Sequence, residues 1–497
     1  MLLVPNLVGA NGCRFPAKEK NGYICPVGMK RFLIILAALF LLFSCGKDKI
    51  IQVFEPDPSE EGETGPKKDD PDDVDWKAAI NYVYDASVIP EIHIAVSREQ
   101  WNALLAAYDK DHNTQEFVVC DVEYRKGSEV TKIEEAGLRL KGNTSRRRPY
   151  EGNQYHHVHF GLNFHKNHED SDHTVKGIRR VDLKWFKDDP AYVREIYCYD
   201  LFRRFGVWTA VNDVYARLWL KVGGEQEIYY GVYGLMEHID KNYLRARVDK
   251  FGSKNGDLWK CAYGANLSDA NAQMGLDDNH SSFTYTLKTG TAEDFPAAKA
   301  RLQDFIRNLK SRNGLDFDQW IAAHMDVDLL LKTYAVNVAV GMWDDYWNNS
   351  NNYYLYLAQE EGNDYKVWFI PYDYDNTLGT SFYCGVQNDS GRQDPWKWGH
   401  DSAPLMTKIL KNSTWRAQYK QYLQQLCREG GDFYYKNSIA RIRVWQNSIA
   451  PFVSNDTKED MTIQDRPASW GNHAEYRIKE DSGNNFFKVK AATVEKM

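Results

Sequence analysis

The chain has 497 residues, of which 43% are hydrophobic and 14% aromatic, so it can bury a sizeable core in about three domains or in fewer large ones. Its formal net charge of −7 argues against nucleic acid as the main partner, because nucleic-acid binding needs a concentrated basic surface. The 31 Tyr and 15 Trp side chains would suit stacking on sugars, although packing at core edges is their more common use.

The first predicted element is an export signal. A basic start at Met29–Arg31 precedes the apolar run FLIILAALFLLFS, which is too short to span a membrane comfortably but suits a secretory signal. The sequence LFSC, ending at Cys45, resembles a bacterial lipobox, in which the cysteine is lipidated; an ordinary signal peptide with an incidental cysteine is the alternative. We predict a signal peptide with lipobox over residues 1–45, with residues 1–28 as a gene-model extension. The lipid on Cys45 predicts a bacterial cell-envelope location, on the outer membrane or the cell surface.

Residues 46–78 are rich in Asp, Glu, Pro and Gly, a composition that cannot bury enough apolar area to fold. We predict a disordered acidic tether there. Five cysteines follow the tether, in an odd number and without C-x-x-C spacing, so zinc and a disulfide framework are disfavoured and buried free thiols are expected. They are Cys120, Cys198, Cys261, Cys384 and Cys427.

Predicted strands dominate the first half of the folded region. The segments PEIHIAVS, EFVVCDVEY, KIEEAGLRLKG and VHFGLNF are typical of strands. Ser97 begins a capping box for the helix WNALLAAY, and the helical spacing of Tyr192–Phe205 ends at Gly206. VYARLWLKV and EIYYGVYGLME, separated by two glycines, predict a β-hairpin.

Predicted helices dominate the second half. They cover PAAKARLQDFIRNLKS, FDQWIAAH, DLLLKTYAVNVAVGM and the later segments Ala403–Leu410, Trp415–Arg428 and Ile439–Ile449. Strands first and helices later predict an α+β fold of two lobes, with a strand-rich N-terminal lobe and a helical C-terminal lobe. We place this domain over residues 79–452 and a C-terminal extension over 453–497.

A small polar turn follows the strand KIEEAGLRLKG. Its segment RLKGNTS contains Arg139, Lys141, Asn143 and Ser145, and three arginines follow directly. Backbone N–H groups of such a turn, with guanidinium groups nearby, suit phosphate oxygens. The signal is weak alone, because Gly-Asn turns before basic residues are common.

Six of the chain's 13 histidines lie between residues 156 and 173: His156, His157, His159, His165, His168 and His173. His157 and His159 would share one face of a strand, which allows a transition-metal site. No carboxylate or cysteine complements them at familiar spacing. A loop or a partly buried polar face is therefore the preferred interpretation.

Two charged residues lie in or at the end of apolar strands. Lys184, in VDLKWF, either extends to the rim of the core or reaches into a cleft where it can pair with phosphate. Glu237 closes the strand GVYGLME just before a predicted helix. Because phosphoryl transfer uses a lysine–glutamate pair that faces a metal site, we predict that Lys184 and Glu237 line a nucleotide site.

The most informative stretch is Trp343–Gly379, in which polar clusters lie at the ends of two apolar strands. Asp344 and Asp345 precede an Asn-rich loop that leads into the strand YYLYL, and the strand KVWFIPY ends at Asp373 and Asp375. If the strands pair as a hairpin, both clusters arrive at the same end of it. Their oxygens would suit Mg²⁺, which takes one or two carboxylates and completes its shell with water and phosphate. A solvated loop is the alternative, but the flanking apolar runs favour a metal site.

Several blocks together resemble the spore-coat CotH kinase family of atypical protein kinases. They are RLKGNTS, DPAYVREIYCYDLFRRFGV, GVYGLMEHIDKNYL, GDLWK, MWDDYW, NNYYLY and IPYDYDNTLG. The resemblance spans Pro90 to Arg428, with the blocks in the family's order. It implies a bilobal, protein-kinase-like fold that uses Mg²⁺ to transfer the γ-phosphoryl group of ATP to protein hydroxyls.

Carried over position by position, the resemblance implies that Asp344 is the catalytic aspartate and that Asp373 and Asp375 are the metal-binding acidic pair. Asn352 best matches the metal-binding asparagine. Asn349 is the alternative, because it lies five residues after Asp344, the spacing common in kinases.

The chain departs from the family at one basic position. The family often has a basic residue in the strand after the Gly-Asn turn, but VHFGLNF has none. Either Lys184 or Lys141 supplies that charge, or nucleotide binding is impaired.

The sequence therefore predicts a Mg-ATP-dependent protein phosphotransferase outside the cytoplasm, with ATP and a protein substrate as partners and no nucleic acid. The competing prediction is a catalytically weak, kinase-like surface lipoprotein that binds glycan or protein or serves assembly, because ATP is scarce outside the cytoplasm. A metal-dependent phosphohydrolase would share the same acidic site.

Overall fold

The computed structural model describes residues 74–168, 173–276, 283–360, 364–381, 389–467 and 475–497, all within one unit that extends over Glu63–Met497. The predicted signal peptide with Cys45, most of the tether (46–73) and Cys384 lie outside the described residues. The last part of the predicted tether is helical, because a helix begins at Trp76 and the Asp75 side chain accepts a hydrogen bond from the Ala78 N–H (3.0 Å) at its N-terminus.

The described residues form twelve α-helices and fourteen strands. The elements up to the end of the predicted hairpin are α1 (Trp76–Val83), β1 (Glu91–Val96), α2 (Arg98–Lys110), β2 (Val118–Lys126), β3 (Glu129–Lys141), β4 (Tyr150–Glu151), β5 (Gln154–Tyr155), β6 (His159–Asn163), β7 (Arg180–Lys184), α3 (Arg194–Arg204), β8 (Asp213–Val222) and β9 (Ile228–Glu237). The later elements are α4 (Lys241–Arg245), α5 (Val248–Phe251), β10 (Gly256–Cys261), β11 (Met274–Leu276), β12 (Tyr285–Leu287), α6 (Phe295–Ser311), α7 (Gly314–His324), α8 (Val327–Val340), β13 (Tyr353–Gln359), β14 (Tyr365–Pro371), α9 (Pro404–Ile409), α10 (Ser413–Cys427), α11 (Tyr435–Ile449) and α12 (Phe486–Val494).

Seven strands of the first half close into a barrel in the order β1-β2-β3-β6-β7-β9-β8. All neighbours pair antiparallel except β1 and β8, whose parallel pairing completes the ring. Along β2, buried Val118, Cys120, Val122 and Tyr124 alternate with more exposed residues, because successive side chains of a strand point to opposite faces. The predicted strands of this half, including the β8–β9 hairpin, are confirmed.

Helix α2 packs onto the barrel through Trp101 and Leu104. The Ser97 side chain caps it by accepting from the Gln100 N–H (3.1 Å), as the capping box predicts. The other half of the box is not formed, since the Gln100 side chain accepts from the Val119 N–H of β2 (2.9 Å) and so ties the helix to the sheet.

The second half combines helices with a five-stranded sheet in the order β11-β12-β10-β13-β14. The predicted helical C-terminal lobe therefore also contains a five-stranded sheet, of which only the β13–β14 hairpin was expected. The β13–β14 hairpin is confirmed, and Tyr353 lies opposite Pro371. Helix α8 is buried nearly all round, ends at Gly341 with φ +74°, and leads directly into the acidic loop. The mixed α+β class is confirmed.

The last residues belong to the same core as the sheet. Phe486, Phe487 and Val494 of α12 are fully buried against it, so this described part of the predicted extension 453–497 belongs to the core. Four of the five cysteines that follow the tether lie in the described residues, and all four are buried free thiols, as expected: Cys120, Cys198, Cys261 and Cys427. Within the described ranges, no helix has both the length and the apolar character needed to cross a membrane.

Candidate active site

Lys184, the last residue of β7, lies between a helix and a turn that carry carboxylates. Its Nζ is 2.7 Å from Glu195 Oε2 and 2.9 Å from Glu195 Oε1, in the first turn of α3. It is also 2.6 Å from Asp373 Oδ1, in the turn after β14. The lysine therefore joins the barrel to the acidic turn that the sequence singled out.

The predicted pairing of Lys184 with Glu237 was wrong, and the strand register explains why. On β7 and β9, Lys184 lies opposite Gly234 whereas Glu237 lies opposite Val181, three residues away, which is roughly 10 Å along a strand. Glu237 instead accepts two 2.7 Å hydrogen bonds from buried Arg247.

Glu195, which the sequence analysis missed, takes the place of Glu237 beside Lys184. Its signal in the sequence is a carboxylate in the first turn of an apolar helix that follows the strand of Lys184. Burial raises the pKa of Glu195 to about 7, although Lys184 acts to lower it.

Asp344 is held by the asparagines of its own loop. Asn349 Nδ2 donates to its Oδ1 (2.5 Å), Asn351 Nδ2 to both oxygens (3.1 and 3.3 Å), and Asn352 Nδ2 to Oδ2 (2.8 Å). Ser350 and Asn352 have φ of +54° and +55°, and this left-handed backbone turns the loop back on itself. Burial raises the pKa of Asp344 and the charge of Asp373 raises it further, while the amide hydrogen bonds oppose both effects.

Asp345 is the buried anchor of the same loop. Its carboxylate accepts from Asn337 Nδ2 of α8 (2.6 Å) and from the Asn348 N–H (2.7 Å). Asn337 Oδ1 in turn accepts from the hydroxyl of Tyr374 (2.8 Å), which lies between the two acidic residues of the second turn. This chain of hydrogen bonds connects the two polar clusters, as the hairpin predicts.

The turn that carries Asp373 and Asp375 is also fixed to α3. The Asp373 N–H donates to the Tyr199 hydroxyl oxygen (3.0 Å), and the Tyr374 N–H donates to Glu195 Oε1 (3.2 Å). Burial would raise the pKa of Asp373, but the ammonium of Lys184 lowers it below its ordinary value. Burial and the neighbouring charge of Asp373 raise the pKa of Asp375 well above its ordinary value.

The donor set fits Mg²⁺ that shares its shell with water and phosphate. Across the described ranges, no group of three or more His, Cys, Asp or Glu side chains is arranged to hold a metal ion on its own. Mg²⁺ needs only one or two protein carboxylates, and Asp373 and Asp375 supply two. Besides burial, the negative charges of Asp373, Glu195 and Asp344 raise the pKa of Asp375. A bound cation would offset that negative charge.

The residues of the Gly-Asn turn differ in their surroundings. Lys141 forms an ion pair with buried Asp182, which also contacts His238 Nδ1 (3.1 Å); burial lowers the pKa of Lys141 to about 8 although Asp182 raises it. Asp182 and Lys184 are two residues apart on β7 and share a face, so Lys141, which pairs with Asp182, lies on the same side of the sheet as Lys184. Arg139 contacts the Gln115 side chain.

Asn143 is exposed and Ser145 is half-buried in this turn, which the Arg146 N–H closes by donating to Asn143 O (3.3 Å). The three arginines that follow are bound to protein acceptors. Arg146 donates to Thr114 O (2.5 Å), Arg147 to His157 O (2.7 Å) and Arg148 to Asp109 Oδ1 (2.9 Å).

The histidines of residues 156–159 make hydrogen bonds in the barrel wall, which agrees with the preferred interpretation. His156 Nδ1 lies 2.9 Å from Glu459 Oε1, and His157 Nε2 lies 2.7 Å from Tyr230 O. His159 Nδ1 accepts from the Trp185 N–H (3.0 Å), because burial and nearby Lys184 lower its pKa to about 3 and keep the ring neutral.

Lys184 of the barrel thus meets the carboxylates of α3 and of the turn after β14. Residues 138–480, more than half of the chain and all of this site, match the family model described as CotH kinase protein. The chain therefore belongs to the CotH kinase family.

Two relatives illustrate the spread of the family. The chain is 28% identical over 301 residues to the inner spore coat protein H of Bacillus subtilis (strain 168), which covers 59% of this chain and 74% of that protein. It is 24% identical over 320 residues to invasin CotH7 of Rhizopus delemar, which covers 62% of this chain and 48% of that protein. The chain thus spans about half the length of the second relative.

Proposed function

We propose that this protein is a Mg-ATP-dependent phosphotransferase that moves the γ-phosphoryl group of ATP to protein hydroxyls outside the cytoplasm. The observation that carries the proposal is the contact of Lys184 with both Glu195 and Asp373. It places a cation suited to phosphate beside the acidic turn suited to the metal. Membership of the CotH kinase family and the mixed fold support a bilobal, kinase-like arrangement.

Asp344 orients the attacking hydroxyl and accepts its proton. Three amide donors fix its carboxylate, so little reorganisation is needed when the acceptor arrives. Its raised pKa makes it a stronger base than an ordinary aspartate, and positioned bases of this kind contribute on the order of 10²–10⁴ in rate.

Lys184 binds phosphate oxygens of ATP, and Glu195 holds the lysine in place. Its two contacts with Glu195 would keep the ammonium at the cleft if Asp373 served as a metal ligand. Lys141 can add a second positive charge by exchanging Asp182 for phosphate, and Arg139, Asn143 and Ser145 would supply further contacts.

Asp373, Asp375 and either Asn352 or Asn349 would hold Mg²⁺. A magnesium ion held there would offset the negative charge that develops as the γ-phosphoryl group departs. Both amide side chains contact Asp344 through Nδ2, which leaves their Oδ1 atoms as possible ligands.

The proposal includes a place for the protein. We propose that a lipid anchor at Cys45 holds the chain in a bacterial cell envelope. The basic start, the apolar run and the sequence LFSC support this proposal. Labelled palmitate should enter the wild-type chain in a bacterial host and be absent from Cys45→Ala.

The experiment that tests the activity uses γ-labelled ATP with the wild type, Asp373→Asn, Asp344→Asn and the control Asp316→Asn. Asp316 is exposed and forms a surface pair with Arg312, which is worth at most about 1 kcal/mol. The wild type and the control should label protein. Asp373→Asn should lose both labelling and Mg-dependent nucleotide binding.

Asp344→Asn should retain Mg-ATP binding and lose transfer by at least about 10²-fold. Equal loss of binding and transfer would make Asp344 a metal ligand instead of a base. Free phosphate without labelled protein would favour a phosphohydrolase. A thermal shift with oligosaccharide but none with Mg-ATP would favour the kinase-like binding or assembly module.

A further inference from the structure

A short segment near the C-terminus, residues 455–460, runs along the barrel beside the candidate active site, and we call it the C-terminal strap. At its start, the Asp456 N–H donates to Tyr229 O (2.9 Å) and the Tyr229 N–H donates to Asp456 Oδ2 (2.7 Å). At its end, Asp460 Oδ2 accepts from the indole N–H of Trp185 (2.8 Å), and the Tyr192 hydroxyl donates to the Asp460 carbonyl. The strap thus reaches from the start of β9 to the end of β7.

Glu459 of the strap binds three residues of the loop between the Gly-Asn turn and β6. Its carboxylate accepts from the His157 N–H (2.8 Å), contacts His156 Nδ1 (2.9 Å) and forms an ion pair with Arg147. Arg147 in turn lies over the Trp185 ring, with its guanidinium carbon 4.4 Å from the ring centroid. Two neighbouring strap residues therefore act on the same indole.

Trp185 is the chain neighbour of Lys184 and forms part of the wall of its pocket. This pocket, about 280 Å³ including space open to solvent, is also lined by Glu195, Asp213 and Asp375. The backbone N–H of Trp185 donates to His159 Nδ1, and its indole N–H donates to Asp460 of the strap. Contacts that fix the indole therefore constrain the backbone next to Lys184, which carries the proposed phosphate-binding ammonium.

The strap is rigid enough for this task. Buried Asn455 donates through Nδ2 to Val453 O (3.0 Å) and Glu459 O (2.8 Å), and it accepts from the Thr457 hydroxyl (2.6 Å). Lys458 and Asp460 have φ of +63° and +49°, a left-handed backbone that non-glycine residues keep only where surrounding contacts fix it.

We propose that the C-terminal strap is a positioning element for Lys184, in which Asp460 directly and Glu459 through Arg147 fix Trp185 and thereby set the lysine toward nucleotide phosphates. The inference rests on the proposed phosphotransferase function. It makes a segment far from the acidic loops in sequence a determinant of nucleotide affinity.

The test compares Asp460→Ala with Asp460→Asn, whose amide oxygen can still accept the indole N–H, and with Lys458→Gln as a control on the same strap. Lys458 has an exposed side chain. Because the hydrogen bond from the indole to a charged group is lost, Asp460→Ala should raise KM for ATP about 10-fold or more while kcat changes less. Asp460→Asn and Lys458→Gln should stay near the wild type in KM and in unfolding midpoint.

A second readout needs no nucleotide. Competitive acetylation of Lys184, followed by mass spectrometry, should rise several-fold in Asp460→Ala, because the wild-type lysine is 13% exposed and held by two carboxylates. Unchanged acetylation in Asp460→Ala would overturn the positioning role, as would a fall in unfolding midpoint with an unchanged KM. A wild type that transfers no phosphate would refute the proposed function, and the acetylation result would still decide the role of the strap.

Discussion

The sharpest single prediction concerns Glu237, which the sequence places in the nucleotide site and the structure places in an ion pair. Its carboxylate accepts from Arg247 Nη1 and Nη2, both at 2.7 Å, and the side chains are 6% and 8% exposed. Glu237→Gln would leave a buried guanidinium opposite a neutral amide. Removing one partner of a buried pair costs about 3–5 kcal/mol, and we expect the lower end because glutamine can still accept one of the two bonds.

Glu195→Gln is the matched comparison, since Lys184 keeps Asp373 as its second counter-ion. We expect a smaller loss of stability, about 1–2 kcal/mol, together with weaker Mg-ATP binding. Exposed Glu293→Gln is the control and should stay within about 0.5 kcal/mol of the wild type.

Urea unfolding gives the free energies, and titration calorimetry with Mg-ATP under native conditions gives the affinities. We expect the two variants to differ in opposite ways. Glu237→Gln should lose stability and retain affinity for Mg-ATP, whereas Glu195→Gln should lose affinity for Mg-ATP and less stability. If Glu237→Gln unfolded within about 1 kcal/mol of the wild type yet failed to bind Mg-ATP, the assignment would be refuted and Glu237 would return to the nucleotide site.

Three further outcomes follow from single contacts. Lys184→Met should abolish the Mg-ATP isotherm; an isotherm like that of the wild type would transfer the phosphate role to another cation. Burial raises the pKa of Asp213 from its ordinary value of 3.8 to about 7, so between these pH values the folded state holds a proton that the unfolded chain has released. Stability should therefore fall as pH rises from about 4 to 7. Asp213→Asn should flatten that fall in urea unfolding at pH 5 and 8, and an unchanged slope would contradict it. A Cβ on Gly256 would lie 2.4 Å from Leu357 O, so Gly256→Ala should cost about 1–3 kcal/mol, whereas Gly224→Ala, with open space around it, should be neutral by the same unfolding assay.

Local patterns were enough to predict the strands that lie next to each other in sequence. The β13–β14 hairpin follows from two apolar runs around a polar turn, and β8–β9 follows from the paired glycines. Closure of the barrel depends on the parallel pairing of β1 with β8, which lie far apart in sequence and carry no local signal for each other. Strands β11 and β12 have three residues each, too few to show a period of two.

In the candidate site, too, local sequence predicted some residues, whereas others depend on contacts between distant parts of the chain. Asp344 and the acidic turn could be read from the sequence because the hairpin sets their meeting point. The partner of Lys184 could not, because the register of β7 against β9 decides which glutamate is within reach. Glu195 reaches the lysine through the packing of α3 against the barrel, a tertiary contact that helical periodicity does not specify.

The late position of α12 and the strap has a consequence for how the molecule is assembled. The last barrel strand in the sequence, β9, ends at Glu237. Phe486 and Phe487, which fill part of the second core, come much later, in α12. A polypeptide that emerges with its N-terminus first therefore carries Asp344, Asp373 and Asp375 before it can complete this core. A chain that lacks α12 would keep the acidic motif but leave this core incomplete.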